Sequence, residues 1–201
     1  MNFKNIDTLI TEAQEYLTAA PQDSLHDYSH HERVLNLAKM IVVDEKLEKD
    51  INTDILNLIC WWHDVQVPSI LHNPDQRIAQ ETAQYVSERV PKEIQEVIFD
   101  SIKEHEFGLK PQFLEGKVLQ DADKLEVLST ERLATVLDMV ASGERQTDEM
   151  LKLHKMVTDD WLPIMPSRYH FTASVTYHKL HVSEFEEKAI LVKNQLTELK
   201  R

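Results

Sequence analysis

Residues 24–38 read "SLHDYSHHERVLNLA". Three histidines, an aspartate, a glutamate and an arginine fall between His26 and Arg33, and an apolar pattern of helical spacing follows at once. Ser29 and Glu32 have the spacing of a capping box, which would start a helix at His30, with Asp27 as the competing cap. Val34, Leu37, Ala38 and Ile41 then form an apolar stripe at 3.6 spacing. At about 100° per residue His30 falls within that stripe and His31 at its edge, which makes His31 a bystander. His26 precedes the helix and periodicity does not place it. An inward histidine at a helix N-terminus is disfavoured as an imidazolium by the helix dipole, so its ring stays neutral and fit to bind a metal. The same helix end favours an anion nearby. Alone, His30 reads more readily as a core histidine with one hydrogen-bond partner than as a ligand.

Two more segments carry the same question. In residues 55–65, "ILNLICWWHDV", the stripe Ile55, Ile59, Trp62 runs on to His63, with Asp64 next to it. A buried carboxylate must be paired or bound to a cation. In residues 118–128, "VLQDADKLEVL", Asp121 and Asp123 interrupt an apolar helix pattern, although aspartate is a poor helix-interior residue. Periodicity sets Asp121 nearer the apolar stripe than Asp123. Surface ion pairs with Lys117 and Lys124 are the plainer reading of both.

Taken together, these residues resemble the HD-domain metal-dependent phosphohydrolases. "DSLHDYSHHERV" is similar to the family's D-x-x-H-D-x-x-H-x-x-R-V, with Asp23, His26, Asp27, His30, Arg33 and Val34 in place. "SIKEHEF" resembles its I-x-x-H segment, giving His105, and "VLQDADKLEVL" its V-x-D-A-D-[RK]-L-[ED] segment. The resemblance covers about residues 23–130. It implies one divalent metal ion (Mn, Mg, Ni, Co, Fe and Zn are not distinguished) held by His30, His63, Asp64 and Asp123, with Asp121 behind them. It further implies catalytic roles for Asp64, Asp27 and His105, and substrate contacts from His26, Arg33 and Lys124. Two imidazoles and two carboxylates leave open positions on a divalent cation, which lowers the pKa of bound water and offsets charge on a phosphoryl oxygen.

The implied function is hydrolysis of a phosphate ester or anhydride of a small molecule, a nucleotide for preference. There is one departure. Some family members carry an acidic residue three places after the HD pair, whereas this chain has Val67. The alternative is therefore a non-catalytic HD-fold protein that binds a nucleotide or a metal. No H-E-x-x-H zinc-protease motif occurs, and His154, His170, His178 and His181 read as structural or surface residues.

The rest of the chain sets the frame. Its 201 residues suit one domain, 1–201, with 23–130 as the metal-binding core and the remaining helices packed on it. With only 3 glycines the composition favours helices over tight-turned strands, so the expected fold is an all-α HD-domain-like bundle of about seven to nine helices. Helical patterns cover residues 6–18, about 27–46, 52–64, 75–90, 91–106, 117–128, 130–143, 146–160 and 172–200. Loops are expected around Pro68 and Pro74, at Gly108, Pro111 and Gly116, and at Pro163 and Pro166.

The net charge of −13 argues against nucleic acid or an anionic membrane as partner. Cys60 is the one cysteine, which excludes an intrachain disulfide and a Cys-based zinc module. "MNFKNIDTLITEAQEYL" lacks the layout of a signal peptide, and no apolar run approaches the roughly 18 residues of a membrane span. A cytoplasmic protein, monomer or homodimer, is the expectation.

Overall fold

Polar residues at helix starts and a few special backbone positions at helix ends mark out the elements of the computed structural model, which describes residues 5–19, 23–67 and 77–200. Pro21 and the loop expected at Pro68 and Pro74 lie outside them. Among the described residues there are nine α-helices and no strand. No helix there is long and apolar enough to cross a membrane. The chain divides into two compact units, Met1–Asp123 and Lys124–Arg201.

In the first unit, α1 (Ile6–Ala19) buries Ile6, Leu9, Ala13 and Leu17 at helical spacing and packs on α3 (Thr53–Trp62). Trp62 is fully buried, and its indole N–H donates to the Leu9 carbonyl at 2.9 Å, tying the two helices. Asn52 caps α3, its side chain accepting from the Asp54 and Ile55 N–H groups. α2 (Tyr28–Asp44) packs on α3 as well, and α4 (Ile78–Ser87) packs on α5 (Lys92–Lys103).

α2 starts two residues earlier than a Ser29 cap would set it. Asp27 is the cap, its Oδ1 accepting from the His30 N–H at 2.9 Å and from the Ser29 hydroxyl at 2.7 Å. The shorter Ser29 side chain is thereby turned back onto Asp27. The far end closes in a Schellman motif: Leu47 N–H donates to Val42 O, Lys46 N–H to Val43 O, and Lys46 takes the left-handed φ of 60°. The buried face of α2 comprises His30, His31, Val34, Leu35, Ala38, Ile41 and Val42. It is thus rotated toward His31, Leu35 and Val42, and Leu37 is only half-buried.

α6 (Leu114–Glu126) begins three residues before the expected start, so Gly116 lies inside it instead of breaking the chain. A Cβ at Gly116 would stand 2.9 Å from Pro111 Cβ and 2.9 Å from Ser101 Oγ, so glycine permits the close approach to α5. Val118, Leu119, Gln120, Asp121, Ala122 and Asp123 are all buried. A helix buried nearly all round has no single stripe to read.

In the second unit, α7 (Thr130–Ser142) is capped by Ser129 and ends at Gly143 with φ 79°, as expected of a C-terminal glycine. α8 (Thr147–Lys155) runs into a wide π-helical turn, Met156–Trp161, and both α7 and α8 pack on α9 (Thr172–Leu199). Glu126, fully buried, is paired with Arg132 at 2.7 Å.

Candidate metal centre

Four side chains from three helices of the first unit converge: His30 near the start of α2, His63 and Asp64 at the end of α3, and Asp123 on α6. One ligand atom from each lies within 4.8 Å of all the others. His30 Nε2 and His63 Nε2 are 3.2 Å apart. Asp64 Oδ2 lies 3.5 Å from His63 Nε2 and 3.7 Å from His30 Nε2, and Asp123 Oδ1 lies 3.9 and 3.7 Å from the same two atoms. His30 and His63 are fully buried and Asp123 nearly so, whereas the Asp64 side chain is 25% exposed. Of the two aspartates on α6, Asp123 meets the histidines. Asp121 is equally buried but is not one of the four.

The backbone at the end of α3 fixes the ring of His63. Its Nδ1–H donates to the Cys60 carbonyl at 2.9 Å, so the neutral ring carries its lone pair on Nε2, the nitrogen that faces His30. Burial pushes the His63 ring down to about 4, against the pull of the Asp64 carboxylate, which keeps it neutral near pH 7. Burial alone would raise the Asp64 carboxyl. The His63 and His105 rings outweigh that and hold it well below the usual carboxylate range.

Two nitrogen and two carboxylate donors, two of them anionic and all facing one point, form a donor set that fits a divalent cation. Ligands about 2.1 Å from one centre lie no more than roughly 4.2 Å apart, so small side-chain rotations close the set on an ion.

Around this cluster the other expected residues take different places. His105 is buried; its Nδ1 bonds the Ile102 carbonyl at 2.6 Å and its Nε2 faces Asp64 Oδ1 at 3.1 Å. With Nδ1–H committed to a carbonyl, that second contact is a hydrogen bond only when Nε2 also carries a proton. The Asp64 carboxylate is thus divided, Oδ2 toward the cluster and Oδ1 toward His105. His26 is half-exposed, with Nε2 3.9 Å from Asp64 Oδ2 and Nδ1 3.7 Å from Asp23 Oδ1. Asp27 serves as the α2 cap. Arg33 donates to Ser29 Oγ at 3.0 Å. Lys124, half-buried, follows Asp123 on α6 and is the first residue of the second unit. Val67 is buried.

The edge position expected for His31 does not hold. His31 is fully buried, its Nδ1 bonds the same Cys60 carbonyl at 3.0 Å, and its ring lies parallel to Trp61 with centroids 6.4 Å apart. Burial first, then the His63 and His30 rings, push it well below the ordinary histidine value. Its only trace in the sequence was the spacing His31, Leu35, Ala38, Val42, a second stripe beside the one read first.

No protein-family model matches the chain, and no curated protein matches it by sequence. Solved structures do match its fold. The chain shares its fold with solved structures described as HD-superfamily hydrolases. An HD-superfamily hydrolase from Bacillus thuringiensis matches with a TM-score of 0.63 and 18% identity, over 98% of this chain and 97% of that one. Bacillus subtilis YpgQ, solved in complex with ADP, matches with a TM-score of 0.61 and 22% identity, over 97% and 94%. A protein from Lactobacillus plantarum matches with a TM-score of 0.68 and 20% identity, over 97% and 98%.

Proposed function

We propose that the protein is a divalent-metal-dependent phosphohydrolase acting on a small phosphorylated molecule, a nucleotide for preference, in the cytoplasm, as a monomer or homodimer. The observation that carries this reading is the meeting of His30, His63, Asp64 and Asp123 within 4.8 Å. Two carboxylates, Asp123 nearly buried and Asp64 one-quarter exposed, set beside two fully buried imidazoles form a donor set that a divalent cation would complete. The ADP bound to YpgQ, a protein of the same fold, supports a nucleotide as the substrate class.

A divalent cation held by these four residues supplies the activation of water and the counter-charge for phosphoryl oxygens. His105 holds a proton against Asp64 Oδ1 and thereby orients the carboxylate; it and Asp27 are the candidates for proton transfer. His26, Arg33 and Lys124 are the candidates for substrate phosphate contacts, Arg33 through a bidentate fork.

The test is a screen of p-nitrophenyl phosphate, bis(p-nitrophenyl) phosphate and nucleoside mono-, di- and triphosphates with Mn²⁺, Mg²⁺, Co²⁺ and Ni²⁺, comparing wild type with Asp64→Ala. Metal-dependent turnover that Asp64→Ala abolishes is the expected result. The buried Val67, where some HD proteins have an acid, favours a second reading, a non-catalytic binding protein. Tight metal binding without turnover on any phosphate selects that reading, and no metal binding at all rejects both.

A further inference from the structure

α5 ends at Lys103, and the loop that follows brings His105 to Asp64. Three carbonyls of this loop converge on one atom, the side-chain Nε2 of Gln120, which donates to Glu104 O at 3.1 Å, Glu106 O at 3.0 Å and Leu109 O at 3.1 Å. Gln120 is 6% exposed and sits on α6, three residues before Asp123. A primary amide has two N–H bonds, so three acceptors share two protons. The flipped amide would set its oxygen against three carbonyl oxygens, so the orientation is determined.

Two of the three carbonyls bracket His105. The Glu104 carbonyl belongs to the peptide unit that ends at the His105 nitrogen, and the Glu106 carbonyl lies one residue beyond. From the other side, Arg77 donates to the Lys103 carbonyl at 3.1 Å and to the Glu106 carboxylate at 3.0 Å. The loop therefore has side-chain donors on both flanks of one residue, and that residue is the one that holds Asp64 Oδ1.

We propose that Gln120 is a positioning residue for His105: its amide gathers the carbonyls of Glu104, Glu106 and Leu109 and so holds the His105 ring on Asp64. The consequence for hydrolysis rests on the reading of His105 given above; the hold on the ring does not. Without the amide, three half-buried carbonyls lose a shared donor and the loop relaxes. The Asp64 carboxylate then loses the partner that keeps Oδ2 turned into the cluster.

The experiment compares Gln120→Met, which keeps length but has no donor, with Gln120→Lys, whose ammonium offers three N–H donors to three carbonyls, and with His105→Ala. The full metal-free chain is labelled with ¹⁵N-histidine, and the His105 ring nitrogens are assigned by their loss in His105→Ala. Turnover of bis(p-nitrophenyl) phosphate with Mn²⁺ is measured in parallel.

Gln120→Met is expected to shift the His105 ring signals and to lower kcat about tenfold with little change in KM, as for loss of an outer partner of a ligand. Gln120→Lys is expected to restore both in large part. Unchanged His105 signals in a folded Gln120→Met, or equal shifts in the Met and Lys variants, would overturn the proposal. Should Gln120→Met fail to fold, the Lys variant decides: ring signals like wild type support the clamp, and displaced signals in a folded chain overturn it. Absence of wild-type turnover on every phosphate ends the hydrolase reading but leaves the ring signals as the test of the clamp.

Discussion

The histidines of the two units solve different problems with the same ring. In the first unit His31 and His63 donate to one carbonyl, that of Cys60, and His105 bonds the Ile102 carbonyl. His63 and His105 then turn the second nitrogen toward another imidazole or a carboxylate. In the second unit His154 Nε2 bonds the Ala189 carbonyl at 2.8 Å and joins α8 to α9. There His178 Nδ1 meets the Tyr169 hydroxyl at 3.1 Å, and the His181 ring lies 4.1 Å from that of Tyr177. A backbone carbonyl on one ring nitrogen therefore does not single out a candidate ligand; in His63, as in His30, what differs is that Nε2 lies near both Asp64 and Asp123.

The sharpest way to break this comparison is to remove one histidine from each set. His63→Ala is expected to weaken Mn²⁺ binding by more than the 10–100-fold typical of losing an outer partner. His178→Ala is expected to leave the metal affinity unchanged and to cost about 1–3 kcal/mol of stability, through the lost contact with the Tyr169 hydroxyl and the lost ring. Calorimetric titration with Mn²⁺ and urea unfolding of both variants decide it. Comparable losses of metal affinity would erase the distinction.

Acid provides the next test. The His63 ring sits at about 4 in the folded chain against 6.5 in the unfolded one, because burial penalises its charged form. Between those values the unfolded state binds a proton that the folded state refuses, so stability is full above about 6.5 and falls as pH drops toward about 4. Each unit of depression is worth about 1.4 kcal/mol. His31 adds to the loss with the same sign, and so does His178, both lowered chiefly by burial. The two sets separate when Mn²⁺ is present. On the metal-centre reading proposed above, the stabilisation expected from Mn²⁺ is lost over the same acid range, because protons compete for the donor atoms. His178→Gln keeps that Mn²⁺ effect and His63→Ala loses it, as thermal unfolding from pH 7 to pH 4.5 will show.

Much of this arrangement was legible beforehand, for local reasons. The 3.6 periodicity of α1 and α3 acts within one helix, so spacing alone places it and carries His63 inward with its stripe. Asp123 was not legible by that route, because α6 is buried on nearly every side and Asp121 is as covered as its neighbour. Only the resemblance to the HD motif selected it. Gln120 carried a weaker signal, one more polar residue in a buried helix, but its partners lie 11 to 16 residues away in a loop. No period connects them. His31 was misplaced because α2 has two overlapping stripes, and the one that packs is set by tertiary contacts with α3.

His31 also gives the finest test of the comparison, since by position it belongs to the first set and by chemistry to the second. Its ring is fully buried beside His63, yet Nε2 has no hydrogen-bond partner among the described residues, and the residue is not one of the four that converge. The Cys60 carbonyl has two lone pairs and keeps its bond from His63 when His31 is removed. His31→Phe retains a flat ring against Trp61, deletes an unsatisfied buried nitrogen and adds a little volume. The first change stabilises, and the last costs up to about 1–3 kcal/mol if the pocket cannot adjust. The net stability change at pH 7 is expected to stay within about 1 kcal/mol, with Mn²⁺ affinity altered less than about threefold, below the range for outer partners of a ligand. The acid loss of stability should become shallower, because one neutral buried imidazole no longer needs to charge. If His31→Phe instead removes Mn²⁺ binding as His63→Ala does, the shared carbonyl is not enough to hold the His63 ring, and His31 must be counted among the residues that build the centre.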